Sequence, residues 1–230
     1  MSWSMVLLQA GSSSAPSSSP LGTLYQMVIA GGPLMVPIGL CSVLALGYIV
    51  ERALALRRRR MHPPDLLPCL LQCVQAGDLA TCVERCGDNK SAMAEVLGPG
   101  LRKLGAPLLE VEKSVEDAAH RVVARLSGNL RPLQVIAGVA PLLGLLGTVW
   151  GMIQAFNVIS VERGLGKPEL LAGGIAQALI TTAAGLAVAI PTHVAYHYFR
   201  SRIDRFARDA EEAYVSLVES AARRAQGRAA

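Results

Sequence analysis

Three long stretches of this 230-residue chain contain no Asp, Glu, Lys or Arg: residues 1–50, 132–161 and 170–199. All 22 basic and 17 acidic side chains are confined to 51–131, 162–169 and 200–230. A soluble fold spreads charge over its surface, and about 25% of its residues are charged. Here 17% are charged and 52% are hydrophobic, with a mean hydropathy of +0.39. This sorting excludes an ordinary soluble globule, a disordered chain and a nucleic-acid-binding domain. It predicts a membrane protein.

A spanning helix needs about 20 mostly apolar residues. Residues 27–50, 133–161 and 170–199 meet that length, the last two with residues to spare. Abundant Ala, Leu, Val and Ile without polar alternation point to helices and against a β-barrel. The predicted fold is an all-α membrane protein with three transmembrane helices, the last two extended into a helical stalk. The expected divisions are a flexible outer-face tail (1–20), a first span region (21–56), a helical domain (57–131), a second span (132–161), an outer-face loop (162–169), a third span (170–199) and a C-terminal helix (200–230).

The tail contains GSSSAPSSSP at residues 11–20, too polar to insert and too poor in apolar groups to pack. No Lys or Arg precedes the short apolar run before it, so the N-terminus does not read as a cleaved signal. Orientation follows from basic residues. Arg52 and Arg57 to Arg60 follow the first span, and Arg200, Arg202, Arg205 and Arg208 follow the third. The 162–169 link balances Arg163 and Lys167 against Glu162 and Glu169. The positive-inside rule then places 51–131 and 200–230 in the cytoplasm and the N-terminus outside. The net charge of +5 reflects topology and gives no case for nucleic acid.

Local signals make the insertion helical. Pro63 and Pro64 break the chain, and Asp65 is a candidate cap for a helix to about Gln75. Gly77-Asp78 predicts a turn, Leu79 to Cys86 a second helix, and Gly87-Asp88-Asn89 another turn. Ser91 opens a third helix to about Leu104, and Gly105 to Pro107 ends it. From Leu108 to Arg131, Val111, Val115, Ala118, Val122 and Leu126 recur at helical spacing, with no strong stop before the second span, although Pro132 can bend the helix there. Gly31, Gly32, Pro33, Pro37 and Gly39 predict a kink or short interfacial segment at the start of the first span.

The second and third spans carry the informative residues. Gly147 and Gly151 form GxxxG, and Gly144 with Thr148 repeats the small-xxx-small spacing. In the third span Gly174, Ala178, Thr181, Gly185 and Ala189 form a small-residue stripe. Gln177 and Thr181 share a face, with Thr182 beside it. Such patterns fit close helix packing and interhelical hydrogen bonds. The functional alternative is a hydrated pathway lined by hydroxyls and an amide. Two other constellations read as packing or interface before metal: Cys69/Cys73 with Cys82/Cys86 on adjacent short helices, and His193/His197 beside Tyr196, Tyr198 and Phe199. No metal site or cofactor is expected. No carboxylate pair, Ser/His/Asp set or nucleotide loop marks an enzyme.

GLLGTVWGMIQAF and GIAQALITTAAGLAVAIP resemble the paired signature segments of the ExbB/TolQ/MotA proton-channel family, nearest to ExbB and TolQ. The order of one span, a large helical insertion and two long helices also matches. MotA-type stators have four spans. The resemblance implies a homopentamer in the bacterial inner membrane around a dimer of a single-span ExbD- or TolR-like partner. That partner supplies a membrane aspartate and works with a TonB-like or TolA-like protein. It further implies that Thr148 and Thr182 line the lumen near the aspartate. Where family members often carry a glutamate, this chain has Gln177. The implied function is a proton-driven motor subunit energising outer-membrane transport. The alternatives are TolQ-like envelope integrity, gliding motility or, from a different class, a passive scaffold.

Overall fold

The computed structural model describes residues 31–57, 61–161 and 168–229. The Ser/Pro tract, Arg58 to Arg60 and most of the link between the last two spans lie outside the described residues. Seven helices follow one another: α1 (Met35–Ala55), α2 (Leu66–Ala76), α3 (Leu79–Asp88), α4 (Ala92–Arg102), α5 (Leu108–Gly128), α6 (Arg131–Val161) and α7 (Pro168–Ala229). No strand occurs among the described residues; Leu104 and Ala106 form an isolated bridge. Three helical stretches are long and apolar enough to cross a bilayer, one each within α1, α6 and α7.

The first span starts later than its apolar run. Gly32 has φ +71°, and the Met35 and Val36 N–H groups donate to the carbonyls of Gly32 and Pro33. This turn precedes a helix that tolerates Pro37 in its first turn, where no intrahelical donor is required. The helix then runs through Glu51 and Arg52 to Ala55. Val36, Leu40, Val43, Leu46, Val50 and Leu54 are all exposed along it. In water that surface would be costly; in lipid it is the solvated face.

The chain divides into two compact units: 1–37 with 143–184, and 38–142 with 185–230. The second unit holds the main core. Leu70, Val74, Met93, Val96, Leu97, Val122, Leu133 and Ile203 are buried in one cluster. Its short helices end where their sequences dictate. Gly77 closes α2 in the left-handed conformation, its N–H reaching the Cys73 and Val74 carbonyls. Asp78 caps α3, accepting from the Thr81 N–H at 3.1 Å and the Thr81 hydroxyl at 2.5 Å. These bonds hold its carboxyl below the usual carboxylate range. Ser91 caps α4 by accepting from the Ala94 N–H at 3.2 Å. Asp65 sits at the N-cap of α2 but makes no side-chain cap bond, because its backbone is already helical. The turn expected at Gly87 and Asp88 is the last turn of α3 instead.

The long amphipathic pattern does stop before the second span. Helix α5 ends at Gly128, and α6 begins at Arg131. Pro132 has no N–H to give to the Gly128 carbonyl, so the ladder opens at that step. The Leu130 N–H turns to the Ser127 carbonyl, and the Leu130 carbonyl starts the next ladder by accepting from Gln134. Helix α7, by contrast, is continuous over 62 residues. At about 1.5 Å per residue it is roughly 93 Å long, about three times the hydrocarbon thickness. Its buried positions recur three and four apart from Ala178 to Thr192 and again from Phe199 to Ser220. Ser220 is buried among them, its hydroxyl satisfied by the Ser216 carbonyl at 2.7 Å.

Candidate functional site

Within the first unit, α6 and α7 meet along glycines. A Cβ on Gly144 would lie 3.1 Å from the Thr181 carbonyl oxygen and 3.1 Å from Thr182 Cα. On Gly147 it would lie 2.5 Å from Thr181 Cβ, and on Gly151 3.0 Å from the Gly174 oxygen. On Gly174 it would meet Ala155 Cβ at 2.6 Å. As residue numbers rise along α6 they fall along α7, so the two helices run antiparallel. Small residues allow this backbone approach, the means by which helices associate in lipid. Gly185, the remaining glycine of the stripe, is buried in the second unit.

Thr148, Gln177, Thr181 and Thr182 are distributed around the seam. Thr181 lies in it, 1% exposed, and its hydroxyl bonds back to the Ala178 carbonyl at 2.8 Å. At about 100° per residue, Thr148 lies roughly 55° to one side of the Gly144–Gly147–Gly151–Ala155 line on α6. Thr182 lies about 70° from the Gly174–Ala178–Thr181 line on α7, in the same rotational sense. For antiparallel helices the same sense means the same side. Thr182 confirms the placement by donating across the seam to the Gly144 carbonyl at 3.0 Å. Thr148, half-buried, donates to Leu145 of its own helix at 2.7 Å. Gln177 lies about 70° to the other side. There its amide packs over Gly32, where a Cβ would collide with it.

The spacing grouped Gln177, Thr181 and Thr182. The structure separates them into one flank, the seam and the other flank, and puts Thr182 on the same flank as Thr148. Gly32 was not singled out as a partner of Gln177, because nothing local links positions 145 residues apart. Thr192 was also missed. It is buried, bonds to Val188 at 2.7 Å, and extends the small-residue spacing of α7 by one more step, a signal the sequence does carry.

Both flank hydroxyls now donate to main-chain carbonyls and keep free lone pairs. A threonine can rotate to donate to a carboxylate or accept from a carboxylic acid. A flank with two such groups and no charge of its own suits an acid brought by another chain.

The other constellations have simpler geometry. Cys82 and Cys86 are buried. Burial pushes the Cys82 thiol up to about 12 and Cys86 up to about 11. Protonated thiols are poor metal ligands. Cys69 accepts from Arg85 at 2.9 Å. The His193 and His197 Nε2 atoms are 3.1 Å apart on an exposed face. Among the described residues no group of three or more His, Cys, Asp or Glu is placed to hold a metal.

The fold and the glycine seam define a class: an all-α membrane protein with three spanning helices, the last two packed through small residues. Residues 88–212, which contain the seam, match the MotA/TolQ/ExbB proton channel family. The chain belongs to that family. A putative biopolymer transport protein ExbB homolog of Methanothermobacter thermautotrophicus is 30% identical over 188 residues, 80% of this chain and 65% of its own length. A putative ExbB-like protein 3 of Synechocystis is 30% identical over 174 residues, 75% of this chain and 83% of its own. The Tol-Pal system protein TolQ of Haemophilus influenzae is 38% identical over 92 residues, 40% of each chain. The match thus spans just under two thirds of the first relative and more of the second.

Proposed function

We propose that this chain is the channel-forming subunit of a proton-driven motor in the bacterial inner membrane. In this reading copies of the chain, five by resemblance, enclose a dimer of a single-span ExbD- or TolR-like partner. The observation that carries it is the shared flank: Thr148 and Thr182 on one side of a glycine-packed pair, in segments without an acid. A carboxylate in the membrane is costly unless hydrated or hydrogen-bonded. The flank offers those bonds, and the partner brings the carboxylate. Proton arrival and departure change the carboxylate's preferred hydroxyl partner, and a ring of such flanks converts those changes into stepwise motion. The chain itself performs no covalent chemistry. Thr181 and Gln177 hold the geometry from the seam and the far flank.

The names of the relatives support two cargoes. ExbB-like use, with a TonB-like protein, energises outer-membrane transport. TolQ-like use, with a TolA-like protein, serves envelope integrity, and the TolQ relative of H. influenzae matches at 38% identity. Deletion followed by siderophore-uptake, detergent-sensitivity and gliding assays separates these from each other and from a passive scaffold. The site itself is tested by proton flux in vesicles containing the chain and its partner. Thr148→Val and Thr182→Val are expected to cut flux at least about tenfold, the loss of roughly one charge-assisted hydrogen bond. Undiminished flux in both variants refutes the placement.

A further inference from the structure

In the second unit a cavity of about 360 Å³ opens where α7 leaves its charge-free stretch. Its floor is Met61 and Phe206, both buried. His62, Tyr198, Arg202 and Arg205 line its polar wall. Neither arginine has a carboxylate within 4 Å among the described residues. Arg205 donates only a long 3.4 Å bond to the Ser201 carbonyl. His62 Nδ1 is buried with no hydrogen-bond partner. Buried polar atoms are ordinarily paired, and guanidinium groups are the preferred donors to phosphate oxygens. The wall therefore gathers two guanidinium groups with an imidazole and a phenol, side chains suited to an oxyanion.

The position of the cavity identifies the source of that oxyanion. Phe199 is the last residue of the charge-free stretch. At about 1.5 Å per residue, Arg202 is about 4.5 Å and Arg205 about 9 Å further along the helix. The headgroup layer extends roughly 5–8 Å beyond the hydrocarbon on each side. With the inner edge of the hydrocarbon set at Phe199, Arg202 falls at phosphate depth and Arg205 at its edge. Ile190, Val194 and Tyr198 lead to Arg202 at one-turn intervals, 62%, 64% and 54% exposed. An acyl chain fits this stripe, and a free phosphate ion has no use for it. Asp209 lines the cavity one turn beyond Arg205. It disfavours an anion beside it and keeps the phosphate on the Arg202 side of Arg205.

The geometry points to a binding site for the phosphate headgroup of an anionic phospholipid, held by Arg202, Arg205 and His62, with an acyl chain along Ile190 and Val194. The site does not use Thr148 or Thr182, so it stands or falls separately from the ion pathway.

The test is lipid retention by the full chain in nonionic detergent, read by native mass spectrometry. The probes are phosphatidylglycerol, phosphatidylcholine and inorganic phosphate. Phosphatidylglycerol is expected to be retained at about tenfold lower concentration than phosphatidylcholine, the effect of one charge-assisted contact. Arg202→Gln with Arg205→Gln abolishes that preference, whereas Arg208→Gln, outside the cavity, leaves it intact. Ile190→Ser with Val194→Ser weakens both lipids. Should the double arginine variant fail to fold, His62→Ala is read instead, with about threefold weaker phosphatidylglycerol retention expected for loss of one hydrogen-bonding group. Equal retention of the two lipids by the unmodified chain overturns the proposal. So does a preference that survives in whichever variant is read, or full displacement of phosphatidylglycerol by equimolar inorganic phosphate, which marks a free-anion site.

Discussion

At the scale of single residues, what matters is which glycine faces a neighbour. Gly147 and Gly173 are indistinguishable by residue type, and both lie in apolar helices. A Cβ at Gly147 collides with Thr181, whereas one at Gly173 meets nothing within 4 Å. Gly147→Ala is therefore expected to destabilise by about 1–3 kcal/mol through overpacking. Gly173→Ala should be neutral or slightly stabilising, since alanine favours the helix. Thermal unfolding of the two variants in detergent checks the contrast. The threonines divide in the same way. Thr181→Val keeps the volume in the seam and removes a hydroxyl bonded only to its own helix, so proton flux should change far less than with Thr182→Val. Equal loss in both would move the pathway into the seam. The cysteines add a pH dependence. Burial, and after it Cys73, pushes the Cys82 thiol up from an ordinary 9.0 to about 12. Above pH 9 the unfolded chain loses that proton while the folded chain keeps it. Stability is thus fully retained below about pH 9 and falls as pH rises toward 12. A flatter alkaline limb in Cys82→Ala than in the unmodified protein, in pH-dependent unfolding, is the expected result.

At the scale of elements, the ends of helices follow local chemistry closely. Gly77, Asp78 and Ser91 act at the positions their residue types dictate, and Ser91→Ala should cost about 1 kcal/mol of stability by unfolding. Two junctions needed the backbone itself. Asp65 has a capping side chain but a helical backbone, so its bond is not made. The α5–α6 break rests on a missing donor at Pro132 within an unbroken amphipathic pattern. Pro132→Ala restores a donor to the Gly128 carbonyl. Slower amide hydrogen exchange at residues 129–132 is expected, and unchanged exchange would place the cause of the break elsewhere. The Glu95–Arg125 pair joins α4 to α5 with bonds of 3.0 and 2.6 Å. Both side chains are about half exposed, so screening leaves this pair a minor contributor.

At the scale of the whole molecule, the distribution of charge sets the expected topology and partner. If residues 51–131 face the cytoplasm, a membrane-impermeant maleimide labels Cys69 and Cys73 in inverted vesicles and leaves them unlabelled in intact spheroplasts. The opposite pattern would reverse the orientation. The charge-free spans also predict that the chain alone conducts no protons in vesicles and gains conductance only with a single-span partner carrying an acid. Much of this was legible from the start. Blocks without charge determine where lipid replaces water, and turn and cap residues determine where short helices stop, because both effects act within a few residues. The small-residue stripes announced a close helix contact. The sequence could not say which side of that contact each hydroxyl takes. That depends on the antiparallel pairing of α6 with α7, which puts Thr148 and Thr182 on one flank, buries Thr181 and turns Gln177 toward Gly32. Side-chain spacing on one helix defines a face; only the packing of a second helix decides what that face meets.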